Sequence, residues 1–122
     1  MTVAMSSAQF RKTAKERDVK ASIVDYLNMR GVKIWVNPRG GASMKHGGFV
    51  RYGGPPGASD LFGILPGGRF LAIETKAADG RYKATEDQVA FIEDVNKRGG
   101  LGIIARSVDD VITAIAPVMG GW

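Results

Sequence analysis

The chain is 122 residues long, enough for one domain with its own core, and its 44% hydrophobic and 24% charged content is that of an ordinary soluble fold. It has no cysteine and a single histidine, His46, which excludes disulfides, thiolate zinc centres and histidine-built metal sites, so any metal must bind oxygen. The net charge is +5, pointing to an acidic partner, and no apolar run approaches the ~20 residues of a membrane span, so the cytoplasm is the expected compartment.

The first predicted helix runs from about Lys12 to Arg30 and stops at Gly31. Val19, Ile23, Tyr26 and Leu27 form its apolar stripe, with Asp18 and Asp25 opposite. Glu16 falls within the stripe and Lys20 at its border. A carboxylate aimed at a core is costly unless it is paired or bound to a cation. Glu16 therefore either faces a cation site or forms an i,i+4 surface pair with Lys20.

Val32 to Val36 reads as a short strand, and Asn37 to Ser59 as a long Gly/Pro-rich loop of the kind that is often functional. Phe49-Val50-Arg51-Tyr52 forms a small extended piece within it. No Asp or Glu occurs from Tyr26 to Ser59, whereas Arg30, Lys33, Arg39, Lys45 and Arg51 do; Arg11, Lys12, Lys15 and Arg17 make a second basic cluster. An acid-free basic stretch suits a polyanion such as nucleic acid. Arg39, Lys45, Arg51 and the helical Lys20 are the candidate contacts to it. The glycines lack the Gly-Lys-Ser/Thr ending of a phosphate-binding loop, so nucleotide hydrolysis is not indicated.

Asp60 to Leu65 and Arg69 to Lys76 read as two strands joined by Pro66-Gly67-Gly68. If those three residues form the loop, Leu65 faces Arg69 and Asp60 lies opposite Glu74. Opposed residues of an antiparallel pair have Cβ atoms about 4.5–5.5 Å apart, so the two anions repel unless a positive group intervenes. Glu74 and Lys76 leave the same face of their strand. A divalent cation held by carboxylates, with a lysine beside it, fits that arrangement.

After a loop from Ala77 to Ala84, a helix is expected from Thr85 to about Arg98, ended by Gly99-Gly100. Gln88 shares a stripe with Phe91, Ile92 and Val95, but Thr85-x-x-Gln88 also matches a capping box, and both roles are open. Leu101 to Ala105 reads as a buried strand returning parallel to its predecessor, and a last helix from Ser107 is expected to stop at Pro117. The order α-β-β-β-α-β-α describes an α/β fold, a small mixed sheet covered by helices on both faces.

With these residues in place, the chain resembles the VRR-NUC nucleases of the PD-(D/E)xK superfamily, from about Glu16 to Ile115. The matching pieces are Glu16, Gly57-Ala58-Ser59-Asp60, Glu74-Thr75-Lys76, Thr85-Glu86-Asp87-Gln88 with Phe91, and Ala105-Arg106-Ser107-Val108-Asp109-Asp110. The resemblance implies a restriction-endonuclease-like core forming one nuclease domain over 1–122. It implies Mg²⁺ or Mn²⁺ held by Asp60, Glu74, Glu16 and the Thr75 backbone carbonyl, with Lys76 as the catalytic lysine and Gln88 as the family's helical glutamine. The small size is similar to that of stand-alone virus-type members, which are similar to Holliday-junction resolvases. A structure-selective endonuclease on branched DNA follows, homodimeric and phage- or prokaryote-type, without a nucleotide cofactor or a membrane. Lys20 departs from the pattern, since members often carry Gln there. The alternatives are a nuclease acting on flaps or DNA ends, and a non-catalytic DNA-binding module that kept the fold.

Overall fold

The computed structural model describes residues 14–120. The expected helix start at Lys12, the basic residues Arg11 and Lys12, and Trp122 lie outside them. Helix α1 spans Glu16–Met29 and buries Val19, Ile23 and Leu27, spaced four apart on one face. Gly31, at φ 75°, ends it by taking the left-handed conformation, which lets Val32 donate back to the Leu27 carbonyl.

The sheet consists of β1 (Lys33–Val36), β4 (Leu61–Ile64), β5 (Phe70–Thr75) and β6 (Leu101–Ala105), in that order. β4 is antiparallel to both β1 and β5, and β6 runs parallel to β5 as expected. A tight turn at Pro66–Gly68 joins β4 to β5, closed by the Leu65 amide donating to the Arg69 carbonyl at 2.8 Å. Its length sets the register at Leu61↔Ile73 and Ile64↔Phe70, which extrapolates to Asp60 opposite Glu74. Helix α2 spans Glu86–Lys97 and α3 spans Val108–Met119.

The two sheet faces are covered unequally. Leu61, Leu65, Leu71, Ile73, Ile103 and Ala105 meet α1 and α3 in the main core. On the other face Ala72 packs against Ile92 and Val95 of α2. On that second face Phe62 makes ring contacts with Trp35, Phe70 and Phe91, and Trp35 and Phe70 remain 41% exposed. Trp35 is thus a half-open wall on the outer strand.

Two expectations need correction. In the segment from Asn37 to Ser59 the expected extended piece is β3 (Phe49–Tyr52), but it is not alone: β2 (Gly40–Ser43) pairs with it as a separate antiparallel hairpin. Glycines have low strand propensity, but here they make room for rings: a Cβ on Gly40 would collide with Tyr52 and one on Gly41 with Phe49. Among the described residues the order is therefore α-β-β-β-β-β-α-β-α. Nor does α3 stop at Pro117, which lies inside it. Proline forfeits one amide hydrogen bond, but Ile115 and Met119 are buried on the main core and hold the last turn in place. Among the described residues no helix is long and apolar enough to cross a membrane.

Gly57 determines how α2 meets the sheet. Its φ is 80°, and a Cβ there would overlap the Asp87 carbonyl and approach the Gln88 amide. The backbone before Asp60 thus lies directly against the first turn of α2. Gly57→Ala should cost about 1–3 kcal/mol from the left-handed backbone alone, and more from the overlap. Urea unfolding measures this; a variant as stable as the parent would show that the close approach is not maintained in solution.

Candidate metal centre

Three elements end at the same place. Asp60 immediately precedes β4, Glu74 lies one residue before the end of β5, and Glu16 opens α1. Each offers a carboxylate oxygen, and the three oxygens lie within 4.8 Å of one another. Metal–oxygen distances of 2.0–2.6 Å put ligands on opposite sides of one hard cation about 4–5 Å apart. The cluster therefore has the dimensions of a single-ion site.

Neighbouring groups fix Asp60 and Glu74. Asp60 Oδ2 accepts from the Thr75 amide at 3.1 Å and the Thr75 hydroxyl at 2.8 Å. Its Oδ1 is 4.0 Å from Lys20 Nζ. Glu74 is only 2% exposed, and its Oε1 accepts from Gln88 Nε2 at 3.0 Å and lies 3.8 Å from Lys76 Nζ. Its Oε2 is buried and receives no hydrogen bond. An orphaned carboxylate oxygen costs free energy that a cation would recover, so this donor set fits a hard, oxygen-bound ion.

Burial, then the negative charge of Asp60, pushes the Glu74 carboxyl up from its ordinary 4.5 to about 7, against the opposing pull of Lys76 and Arg39. Arg39, expected only as a nucleic-acid contact, thus also acts electrostatically on the acid cluster.

Gln88 fills both of the roles left open for it. Its Oε1 accepts from the Thr85 amide at 2.9 Å and Thr85 Oγ1 accepts from the Gln88 amide at 3.1 Å, completing the capping box. The other end of the same amide donates to Glu74. Capping thereby orients the group that holds the buried acid.

Glu16 joins the acid cluster as expected, but not from within the buried stripe. It is exposed at the rim, because α1 begins at this residue with Lys15 as its cap, so Glu16 has no preceding turn to bury it. It joins the cluster from the open side, and Lys20 pairs with Asp60 instead of Glu16. Asp60, Glu74, Lys76, Thr75, Gln88, Glu16 and Lys20 therefore converge. Arg39 and Arg51 line a cleft of about 620 Å³ that also includes Asp60. Lys45 stands exposed in the hairpin turn and does not line that cleft.

Two contributors escaped sequence reasoning. The Thr75 side chain orients Asp60, although the expectation concerned only its carbonyl. Asn37 donates its backbone amide to the Asp60 carbonyl at 2.7 Å, and its side chain to the carbonyls of Gly53 at 2.8 Å and Ser59 at 3.2 Å. An Asn following an edge strand and preceding Pro is a turn signal, but its clamping partners are 16 and 22 residues away. Comparison of the chain with protein-family models, curated proteins and solved structures returns no match.

A pH dependence follows. The folded pKa of Glu74 lies above its unfolded value, so the native state holds the extra proton between about 4.5 and 7. The contribution of Glu74 to metal-free stability should be complete below that window, be lost as pH rises through it, and level off above. Glu74→Gln should remove this slope and raise metal-free stability above pH about 7 by on the order of 3 kcal/mol. It should also abolish stabilisation by Mg²⁺ or Mn²⁺, which in the parent should strengthen as Glu74 ionises. Thermal melts on both sides of pH about 7, with and without metal, read out all three effects; a parent whose melting is indifferent to metal at every pH would contradict the site.

Proposed function

We propose that this chain is a divalent-metal-dependent DNA endonuclease with a restriction-endonuclease-like core, of the VRR-NUC kind that its motifs resemble. The observation that carries this reading is the clustering of three carboxylates with Lys76 beside them, at the edge of a basic cleft. Glu16, Asp60 and Glu74 would hold Mg²⁺ or Mn²⁺, with the Thr75 carbonyl as a further donor. Such an ion, when bound, acidifies a coordinated water and offsets charge on the scissile phosphate.

The chain's own groups do the positioning. Thr75 keeps Asp60 in one orientation, and Gln88 does the same for Glu74. Lys76, only 8% exposed, supplies a fixed positive charge for a non-bridging phosphoryl oxygen and orients the attacking water. Lys20 balances Asp60 and is placed to turn toward a phosphate. Arg39 and Arg51 bind the flanking backbone, each contributing a salt-dependent contact.

The finer reading is a homodimer cutting branched DNA. Strand β1 is an outer strand of the sheet, and Trp35, Ile64 and Phe70 expose apolar surface on the face that α2 leaves uncovered. A second copy on that surface would give two sites related by a twofold axis, the symmetry of a four-way junction. Light scattering tests the dimer, and paired nicking of an immobile junction tests the substrate.

The central experiment incubates labelled linear, flap and four-way DNA with Mg²⁺, Mn²⁺ or EDTA. Metal-dependent cleavage is expected, and Lys76→Ala should reduce it at least about 100-fold while leaving DNA affinity nearly unchanged. Near-normal cutting by the variant would make Lys76 structural. Binding without cleavage under any metal would leave a non-catalytic DNA-binding module.

A further inference from the structure

The hairpin carries two large aromatic side chains that serve neither core. Phe49 is 62% exposed and Tyr52 53%, and neither joins a hydrophobic cluster among the described residues. Each ring lies over a glycine of the opposite strand, Phe49 over Gly41 and Tyr52 over Gly40, in space that any side chain would fill. The rings are thus laid on backbone with an outer face free. Phe49 and Arg51, two residues apart, leave the same face of β3.

Phe49 and Arg51 line a cleft together with Arg39, Pro55 and Asp60, and Tyr52, from the opposite face of β3, reaches its edge. Its volume of about 620 Å³ falls in the range of about 300–1,000 Å³ typical of sites that enclose one small organic ligand. A duplex is far too wide to enter it, whereas one nucleotide is of the right size. Two arginines beside exposed aromatic rings match the chemistry of single-stranded nucleic acid, a π-face for a base and cations for the backbone. The absence of any acid between Tyr26 and Ser59 removes repulsion along the approach.

We propose that the cleft between the hairpin and Asp60 takes one unpaired nucleotide next to the scissile phosphate, its base stacked on Phe49 and its phosphates held by Arg39 and Arg51. The protein thereby selects DNA in which pairing is interrupted over continuous duplex. The position relative to the cut rests on the nuclease reading; the stacking site does not. Because the cleft reaches Asp60, an acid of the metal cluster, a nucleotide lodged there aligns its own phosphate with the acids.

The test measures binding in EDTA, where cleavage plays no part, of the full chain to a duplex with a short single-stranded gap and to the same duplex without it. The parent should prefer the gapped DNA. Phe49→Leu, which keeps apolar bulk but loses the π-face, should weaken gapped binding about 5- to 100-fold and leave duplex binding unchanged, while Phe49→Tyr retains the preference. Both substitutions fall at an exposed hairpin position, so unfolding temperatures should match the parent. Equal affinity of the parent for the two DNAs would overturn the proposal, as would an equal loss on both in Phe49→Leu. A preference for gapped DNA without cleavage in Mg²⁺ or Mn²⁺ would sustain the stacking site and remove the nuclease reading. Failure to bind either DNA would remove both.

Discussion

Burying Glu74 beside Asp60 is the constraint on which the rest of the structure depends. A carboxylate that is 2% exposed and faces a second carboxylate is destabilising by itself. The surroundings offset this repulsion without abolishing it: Gln88 donates to one oxygen, Lys76 and Arg39 draw the pKa down, and Oε2 is left without a donor. An arrangement optimised for stability alone would place an apolar residue there. The acids are nevertheless held close enough together to take one cation, and either a proton on Glu74 or a bound cation relieves the repulsion.

The architecture around Glu74 follows from that requirement. Gly57 lets the chain before Asp60 touch the first turn of α2, which carries Gln88 to Glu74. Thr75, next along β5, reaches across to Asp60, so one strand supplies both an acid and the clamp for its partner. Asn37 ties the end of β1 to the base of the hairpin and to the Asp60 backbone. Strand ends, helix start and hairpin are thereby fixed to one another where the carboxylates meet, while the rest of the sheet serves as ordinary core.

Much of this was legible from residues because short-range rules govern it. The Pro66-Gly67-Gly68 turn admits one register, and that register alone puts Asp60 opposite Glu74. The capping box placed the start of α2, and the 3.6-residue period identified the buried face of α1. What was hidden depends on contacts distant in sequence. The extended piece at Phe49–Tyr52 is legible, but its partner strand Gly40–Ser43 is not, since it is exposed and its glycines are compensated by cross-strand rings. The helical period places Glu16 with the other two acids, as the structure does, but not its exposure, because a wheel assumes a full helix around each residue and the helix begins there. Pro117 was read as a stop because burial of Met119 is invisible to a local rule.

The most direct test of the account is to soak Mn²⁺ into crystals of the protein and locate it by anomalous scattering. One peak is predicted, about 2.1 Å from an oxygen of each of Asp60, Glu74 and Glu16, with Oε2 of Glu74 among the ligands. A map with no peak at these carboxylates, or with Mn²⁺ bound only elsewhere, would contradict the claim that this buried repulsion exists to hold a metal.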